Sequence, residues 1–306
     1  MTKVFPEKHF SIMACPQCSG EFAFHADKWT CRSCGSAFPV DASGSVDLRL
    51  QRPKTSSVEF TVETPTHPEG FAFVQLELNP QPALDTNRID VPWHFSRELL
   101  SYFPAPSSSS QPTYALDLGC GTGLHREICE HAGFEWVGLD YTNPAAPLWG
   151  DGHALPFRDG SFDLVFSMAV LEHIRYPFVL GKEVRRVLKP GGMYIGTVSF
   201  LEPFHGDSYY HHTYLGTYNT LATCGFDVIR VAPSRSWSGL RAQATMGGLF
   251  PRMPEALGRA IVWPLELVHK LWWKAGSLVS KDAGETRRLL TNTGAFEFVA
   301  RKPAIP

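Results

Sequence analysis

The period of apolar and polar positions changes along the chain. From Tyr114 onward, short apolar runs alternate with segments of helical period. This is the pattern of strand–helix–strand units around a mostly parallel sheet, an α/β fold. Strands are predicted at Tyr114–Leu118, Glu135–Leu139, Phe162–Ala169, Met193–Ser199, Phe226–Val231 and Ala295–Ala300. Helices are predicted at Leu124–His131, Tyr176–Leu188 and Thr213–Cys224, the second stopped by Lys189-Pro-Gly-Gly192.

Outside that region the pattern differs. Glu21–Trp29 alternates and then turns, as a short hairpin would. Residues 53–113 are rich in Pro, Thr and Ser and read as a connector. One short helix is expected there, in Pro92–Phe103, with Trp93, Leu99, Leu100 and Phe103 near helical spacing. Between the last two strands, residues 235–290 form an insertion expected to be a helical cap. Along Ala256–Lys274, Leu257, Ile261, Leu265, Val268 and Trp272 make an apolar stripe; Arg259, Glu266, Lys270 and Lys274 make a polar one. Pro264 should kink this helix.

Composition narrows the class. The chain has 306 residues, 43% hydrophobic and 19% charged, with a net charge of −2, as for an ordinary globular protein with room for two domains. No run of about twenty apolar residues spans a membrane, and the first residues lack the apolar core of a secretory signal. Of seven cysteines, four sit as Cys15-Pro-Gln-Cys18 and Cys31-Arg-Ser-Cys34. Two CxxC turns supply the four soft ligands of a tetrahedral Zn²⁺ site, closed to chemistry and stabilising a ribbon over residues 1–52. Unrelated thiols or a redox pair are the alternatives. Cys120, Cys129 and Cys224 read as buried apolar residues. The expected compartment is the reducing cytoplasm.

Ala115-Leu-Asp-Leu-Gly-Cys-Gly-Thr-Gly-Leu124 ends a predicted strand and opens a helix. Gly119, Gly121 and Gly123 allow a sharp turn and close approach of backbone to a ligand. Asp140 closes the next strand, where a carboxylate can accept ribose hydroxyls. The spacing is not the GxGxxG of dinucleotide sites. Asp117 leads the turn, which disfavours phosphate and favours a ligand carrying a cation, S-adenosylmethionine over NAD. A glycine-rich turn without a ligand is the plain alternative.

These residues resemble the class I S-adenosylmethionine-dependent methyltransferases of the broad type 11 kind. The likeness is carried by ALDLGCGTG at 115–123, GLD at 138–140, GDGHALPFRDGSFDLVFSMAVLEHI at 150–174 and EVRRVLKPGGMYIGTV at 183–198. It implies a Rossmann-like doubly wound sheet over 114–306. It also implies that Asp117 and the three glycines hold the methionine end and that Asp140 holds the ribose. Asp151, Gly152 and His153 would face the adenine, with Phe166 and Met168 near the sulfonium. The cysteine ribbon resembles those fused to rRNA guanine methyltransferases. One departure is the short Tyr141–Gly150 segment, where Asn143-Pro-Ala-Ala-Pro147 resists a helix and a stunted third strand is expected.

The acceptor side is expected in Phe200–His212, past the end of the predicted strand Met193–Ser199, the fifth when the stunted third is counted. There Glu202, His205, His211 and His212 are candidate catalytic residues for an oxygen acceptor, if they do not merely solvate a polar loop. A metal site from His205, His211 and His212 gets little support from their spacing. Glu172 and His173 form a second pair that either contacts the acceptor or packs at a helix entry. Arg235–Arg288 carries nine Lys/Arg against four Asp/Glu. The plain reading of its amphipathic helix is a lid over the acceptor side or an oligomer contact. The alternative is contact with an anionic membrane through 256–274, which the kink and length of the helix do not favour. The function expected is methylation, at oxygen, of a small-molecule or glycan-like acceptor. An rRNA base methyltransferase is the first alternative, weakened by the acidic balance and modest ribbon charge. A non-catalytic cofactor-binding regulator or scaffold is the second.

Overall fold

The computed structural model describes residues 5–61, 79–85, 90–92, 94–106, 112–280 and 284–304. Trp93 and much of the 53–113 connector lie outside them. Strands β1 (Phe22–Phe24), β2 (Lys28–Cys31) and β3 (Ala37–Pro39) form an antiparallel sheet, so the expected hairpin is β1–β2. Strand β4 (Val46–Asp47) leaves this ribbon and joins the edge of the large sheet. Helix α1 (Arg97–Leu100) is capped by the Ser96 hydroxyl, which accepts the Leu99 N–H at 3.0 Å. It buries Leu99 and Leu100 completely.

The large unit then runs β5 (Tyr114–Leu118), α2 (Arg126–His131), β6 (Glu135–Asp140), β7 (Leu148–Trp149), β8 (Phe162–Met168), α3 (Pro177–Val187), β9 (Leu188–Ser199), α4 (Tyr214–Thr223), β10 (Asp227–Pro233), α5 (Gly239–Thr245), α6 (Glu255–Gly276), α7 (Glu285–Asn292) and β11 (Ala295–Arg301). The eight strands lie in the order β10-β11-β9-β8-β5-β6-β7-β4, with β11 antiparallel to both neighbours and the remaining pairs parallel. Strand order reverses between β5 and β8, and ligands of open α/β sheets bind outside the carboxyl ends at such a reversal. The stunted third strand is present as the two residues of β7.

Ribbon and large sheet share one core. Phe22, Trp29, Phe38 and Met13 are buried in the same apolar cluster as Leu139, Leu155 and Phe157. The Ala14 N–H donates to the Pro156 carbonyl at 3.0 Å, and Leu48 N–H to Trp149 at 2.7 Å. Cys120, Cys129 and Cys224 are buried.

In the long insertion helix the face turned inward is not the expected apolar stripe. Leu257, Ile261, Leu265, Val268 and Trp272 are 51, 45, 56, 59 and 77% exposed, rather than buried against Pro92–Phe103 and Phe200–His212. A different face of α6 turns inward: Gly258 and Val262 are buried, and Glu266 accepts from Ser238 and Arg241 of the α5 region. Gly258 explains the choice of face, since a Cβ there would lie 2.9 Å from the Ala244 carbonyl oxygen. The close approach of α5 therefore fixes the roll of α6 and leaves the stripe outward.

Candidate cofactor and acceptor site

The glycine turn is built as its residues require. Gly119, Gly121 and Gly123 have φ of 75, 53 and 82°, where a side chain is strained. A Cβ on Gly119 would also meet Val170 at 2.5 Å. Over Gly121 the nearest atom to a built Cβ is Asn143 Nδ2 at 3.8 Å, so the turn leaves a shallow open cradle. Gly119 and Cys120 N–H groups donate to the Leu139 carbonyl, and the Gly121 N–H to Asp140 Oδ2 at 3.0 Å. Asp140 Oδ1 accepts from Thr142 and Asn143 N–H, each at 2.9 Å.

Asp117 is 1% exposed. Its Oδ2 accepts from the Trp136 indole at 3.1 Å, while Oδ1 has no hydrogen-bond partner and lies 3.6 Å from His125 Nδ1. A buried carboxylate with an idle oxygen beside an open cradle fits the cationic end of S-adenosylmethionine. Asp151 Oδ1 accepts from the His153 backbone at 2.9 Å and its Nδ1 at 2.6 Å, leaving Oδ2 for a ligand. Burial pushes Asp151 up, but the His153 hydrogen bonds outweigh it and hold the carboxyl below its ordinary value. Gly152 is buried, with Leu180 in the way of any side chain. Phe166 is fully enclosed by neighbours that include Phe95, Phe103 and His125, and Met168 is buried in the same cluster. Their side chains thus support the site from beneath.

The sequence did not single out Tyr141 or Arg49. Tyr141 follows Asp140 and is 56% exposed. Arg49, from the ribbon's tail, lies over the Tyr141 and Trp149 rings and donates to the Tyr141 carbonyl. A β4 register at the sheet edge makes that approach, and no local motif encodes it.

At the ends of β8 and β9 a polar cluster gathers. The chain turns after β8 at Ala169, φ 55°, into a 3-10 turn Leu171–His173. Glu172 is fully buried, and burial pushes its carboxyl up to about 7. Its Oε1 is 3.1 Å from Ser199 Oγ, which is also 2.9 Å from Glu202 Oε2. Glu202 Oε1 accepts from the Trp237 indole at 2.6 Å, a tie from the insertion to this cluster. The His205 ring stands edge-on to His173 at 5.3 Å. Burial, then the neighbouring His205, holds the His173 imidazole below its ordinary value. Glu202 and His205 therefore join Glu172 and His173. His211 and His212 are placed differently: His211 is exposed, while His212 is 6% exposed and burial lowers its pKa.

The four ribbon cysteines converge. Their sulfur atoms all lie within 4.8 Å of one another, with Cys15–Cys34 at 3.8 Å and Cys18–Cys31 at 3.5 Å. This donor set is consistent with a zinc ribbon. No helix among the described residues is long and apolar enough to cross a membrane.

Residues 116–196 match the type 11 family described as "Methyltransferase domain". An uncharacterized methyltransferase of Mycobacterium tuberculosis (strain ATCC 25618 / H37Rv) is 31% identical over 173 residues, which are 52% of this chain and 67% of that protein. One from Mycolicibacterium gilvum (strain PYR-GCK) is 34% identical over 125 residues, 36% of this chain and 49% of that one. The chain thus spans about half the length of several curated relatives it matches. Among solved structures, an S-adenosylmethionine-dependent methyltransferase from Mesorhizobium loti is 17% identical with a TM-score of 0.40, covering 66% of this chain and 95% of that one. A chain in the complex of the Haloferax volcanii Trm112 methyltransferase activator is 20% identical with a TM-score of 0.45, covering 69% and 90%. The chain belongs to the class I S-adenosylmethionine-dependent methyltransferases.

Proposed function

We propose that the protein transfers a methyl group from S-adenosylmethionine to an oxygen of a small-molecule or glycan-like acceptor. The observation that carries this reading is the adjacency of two features at the strand reversal. The Asp117–Gly123 cradle with Asp140 ends β5 and β6, and the Glu172–His173–Glu202–His205 cluster ends β8 and β9. Bound S-adenosylmethionine supplies an electrophilic methyl group. Asp117 would hold its ammonium end, Asp140 its ribose hydroxyls, and Asp151 with the backbone of Gly152 and His153 its adenine. Displacement is in line, so the chain's main work is to position the acceptor. Glu172, with a carboxyl near neutrality, and His205 are suited to taking the acceptor hydroxyl's proton. Four cysteines would hold a structural Zn²⁺, and thiols kept for a metal support a reducing, cytoplasmic setting.

The outward stripe of α6 supports contact with an anionic membrane surface over a lid. Exposed Lys270 and Lys274 lie on the polar face of the same helix, with Arg259 paired to Glu255 at 3.1 Å, and each unpaired cation can gain about 1 kcal/mol from anionic lipid. An acceptor delivered from such a surface would be lipid-linked. An rRNA acceptor draws less support: ribbon Lys8 is paired with Glu135 at 2.6 Å, and Arg158 beside the ribbon with Glu21 at 3.0 Å. A non-catalytic regulator has no use for the second cluster. Cell extracts incubated with labelled S-adenosylmethionine, with and without the enzyme, test the reading. A new labelled small molecule or glycolipid is the expected result; label only in RNA, or nowhere, overturns it.

A further inference from the structure

We propose that Glu172, His173 and His205 form a binding site for a first-row divalent cation between the carboxyl ends of β8 and β9. One ligand atom from each lies within 4.8 Å of the others. Two imidazoles and a carboxylate are the donor set of open catalytic sites for zinc, iron and manganese. The set leaves coordination positions free for an oxygen ligand.

Two further observations point to a cation. The first is idle donor capacity: Glu172 Oε2 and His173 Nδ1 are buried with no hydrogen-bond partner, and Glu172 is 0% exposed. Such atoms cost free energy unless something occupies them. The second is the Ser199 hydroxyl, which has one proton yet sits 3.1 Å from Glu172 and 2.9 Å from Glu202. It donates to one carboxylate only, so two carboxylates meeting there need a further positive charge or proton between them. The imidazoles are also oriented for ligation. His205 Nδ1 is 3.0 Å from the Pro203 carbonyl, and a proton held there leaves the Nε2 lone pair free. A left-handed turn at Gly206 and Asp207, φ 46 and 56°, follows His205, and a Cβ on Gly206 would lie 3.5 Å from His173 Cε1.

This assignment rests on the acceptor-side reading of the cluster, and it replaces direct proton uptake by Glu172 and His205: a cation held by them would bind an acceptor hydroxyl and ease loss of its proton to water. The test uses the full-length protein with its ribbon metal in place and Mn²⁺ as the probe, because manganese favours oxygen and nitrogen over four thiolates. Loss of the free Mn²⁺ resonance signal should report one bound ion per chain. Glu172→Gln and His205→Ala should each weaken it about tenfold or more, with S-adenosylmethionine affinity by calorimetry retained in His205→Ala. Absence of Mn²⁺ binding in the unaltered protein, or an affinity in both variants equal to that of the unaltered protein, overturns the site. His205 lies on a surface loop, so its variant remains informative if Glu172→Gln fails to fold. Mn²⁺ bound without methyl transfer to any acceptor would uphold the site and sink the functional reading; transfer without Mn²⁺ binding would do the reverse.

Discussion

The Gly121 N–H donates to Oδ2 of Asp140 at 3.0 Å, closing the glycine turn of β5 onto the end of β6. Asp140 thus holds the cradle's shape, in addition to the ribose contact proposed for it. Asp140→Ala is expected to weaken S-adenosylmethionine tenfold or more, since each hydrogen bond to a charged group is worth ~1.5–3 kcal/mol. Titration calorimetry on both proteins checks it; equal affinities would remove Asp140 from the site.

Protein prepared without chelator should carry one zinc per chain in the cysteine cluster, and Cys31→Ser should lose it. Because Phe22, Trp29 and Phe38 share a core with the large sheet, the variant should also melt at lower temperature. Metal analysis and calorimetric melting are the measurements. A zinc-free wild type would refute the ribbon site.

The α6 stripe makes a prediction about membranes. The protein should co-sediment with phosphatidylserine-containing vesicles, release as salt rises, and bind less well as Trp272→Ala. No sedimentation at low salt would assign the stripe to a protein partner.

Acid should destabilise the fold partly through His9. Burial lowers its pKa, with Lys8 and Arg126 in support, while Glu135 at 3.5 Å opposes; the Tyr114 ring packs edge-on to it. The unfolded chain then binds the proton first. This contribution is intact above the unfolded value of about 6.5 and is lost as pH falls below it toward the folded value. His9→Gln should flatten the decline of the melting temperature between about pH 7 and pH 5. An unchanged slope would show that other groups carry it.

The periodicity placed every strand of the large sheet from Tyr114 to Ala300 except β7 and the edge strand β4, because apolar alternation reports burial directly. Motif spacing identified the cradle for a similar reason: three left-handed glycines and two strand-end carboxylates are local requirements of the turn itself. Convergence of the four ribbon cysteines was equally legible, since each CxxC is a single turn.

Other features depend on residues far apart in the chain. Val46–Asp47 pairs with Leu148–Trp149 at a sheet edge, and two strand residues carry no pattern of their own. The polar cluster joins Glu172 and His173 to Glu202 and His205 only because β8 and β9 are neighbours; adjacency within Phe200–His212 pointed equally to His211, which is exposed, and to His212, whose backbone N–H donates to the Ser199 carbonyl at 2.7 Å. For α6 the sequence determined that the helix is amphipathic, while tertiary packing decided which face turns inward. A helix offers several faces, and contact follows the one where backbones approach most closely, here at Gly258.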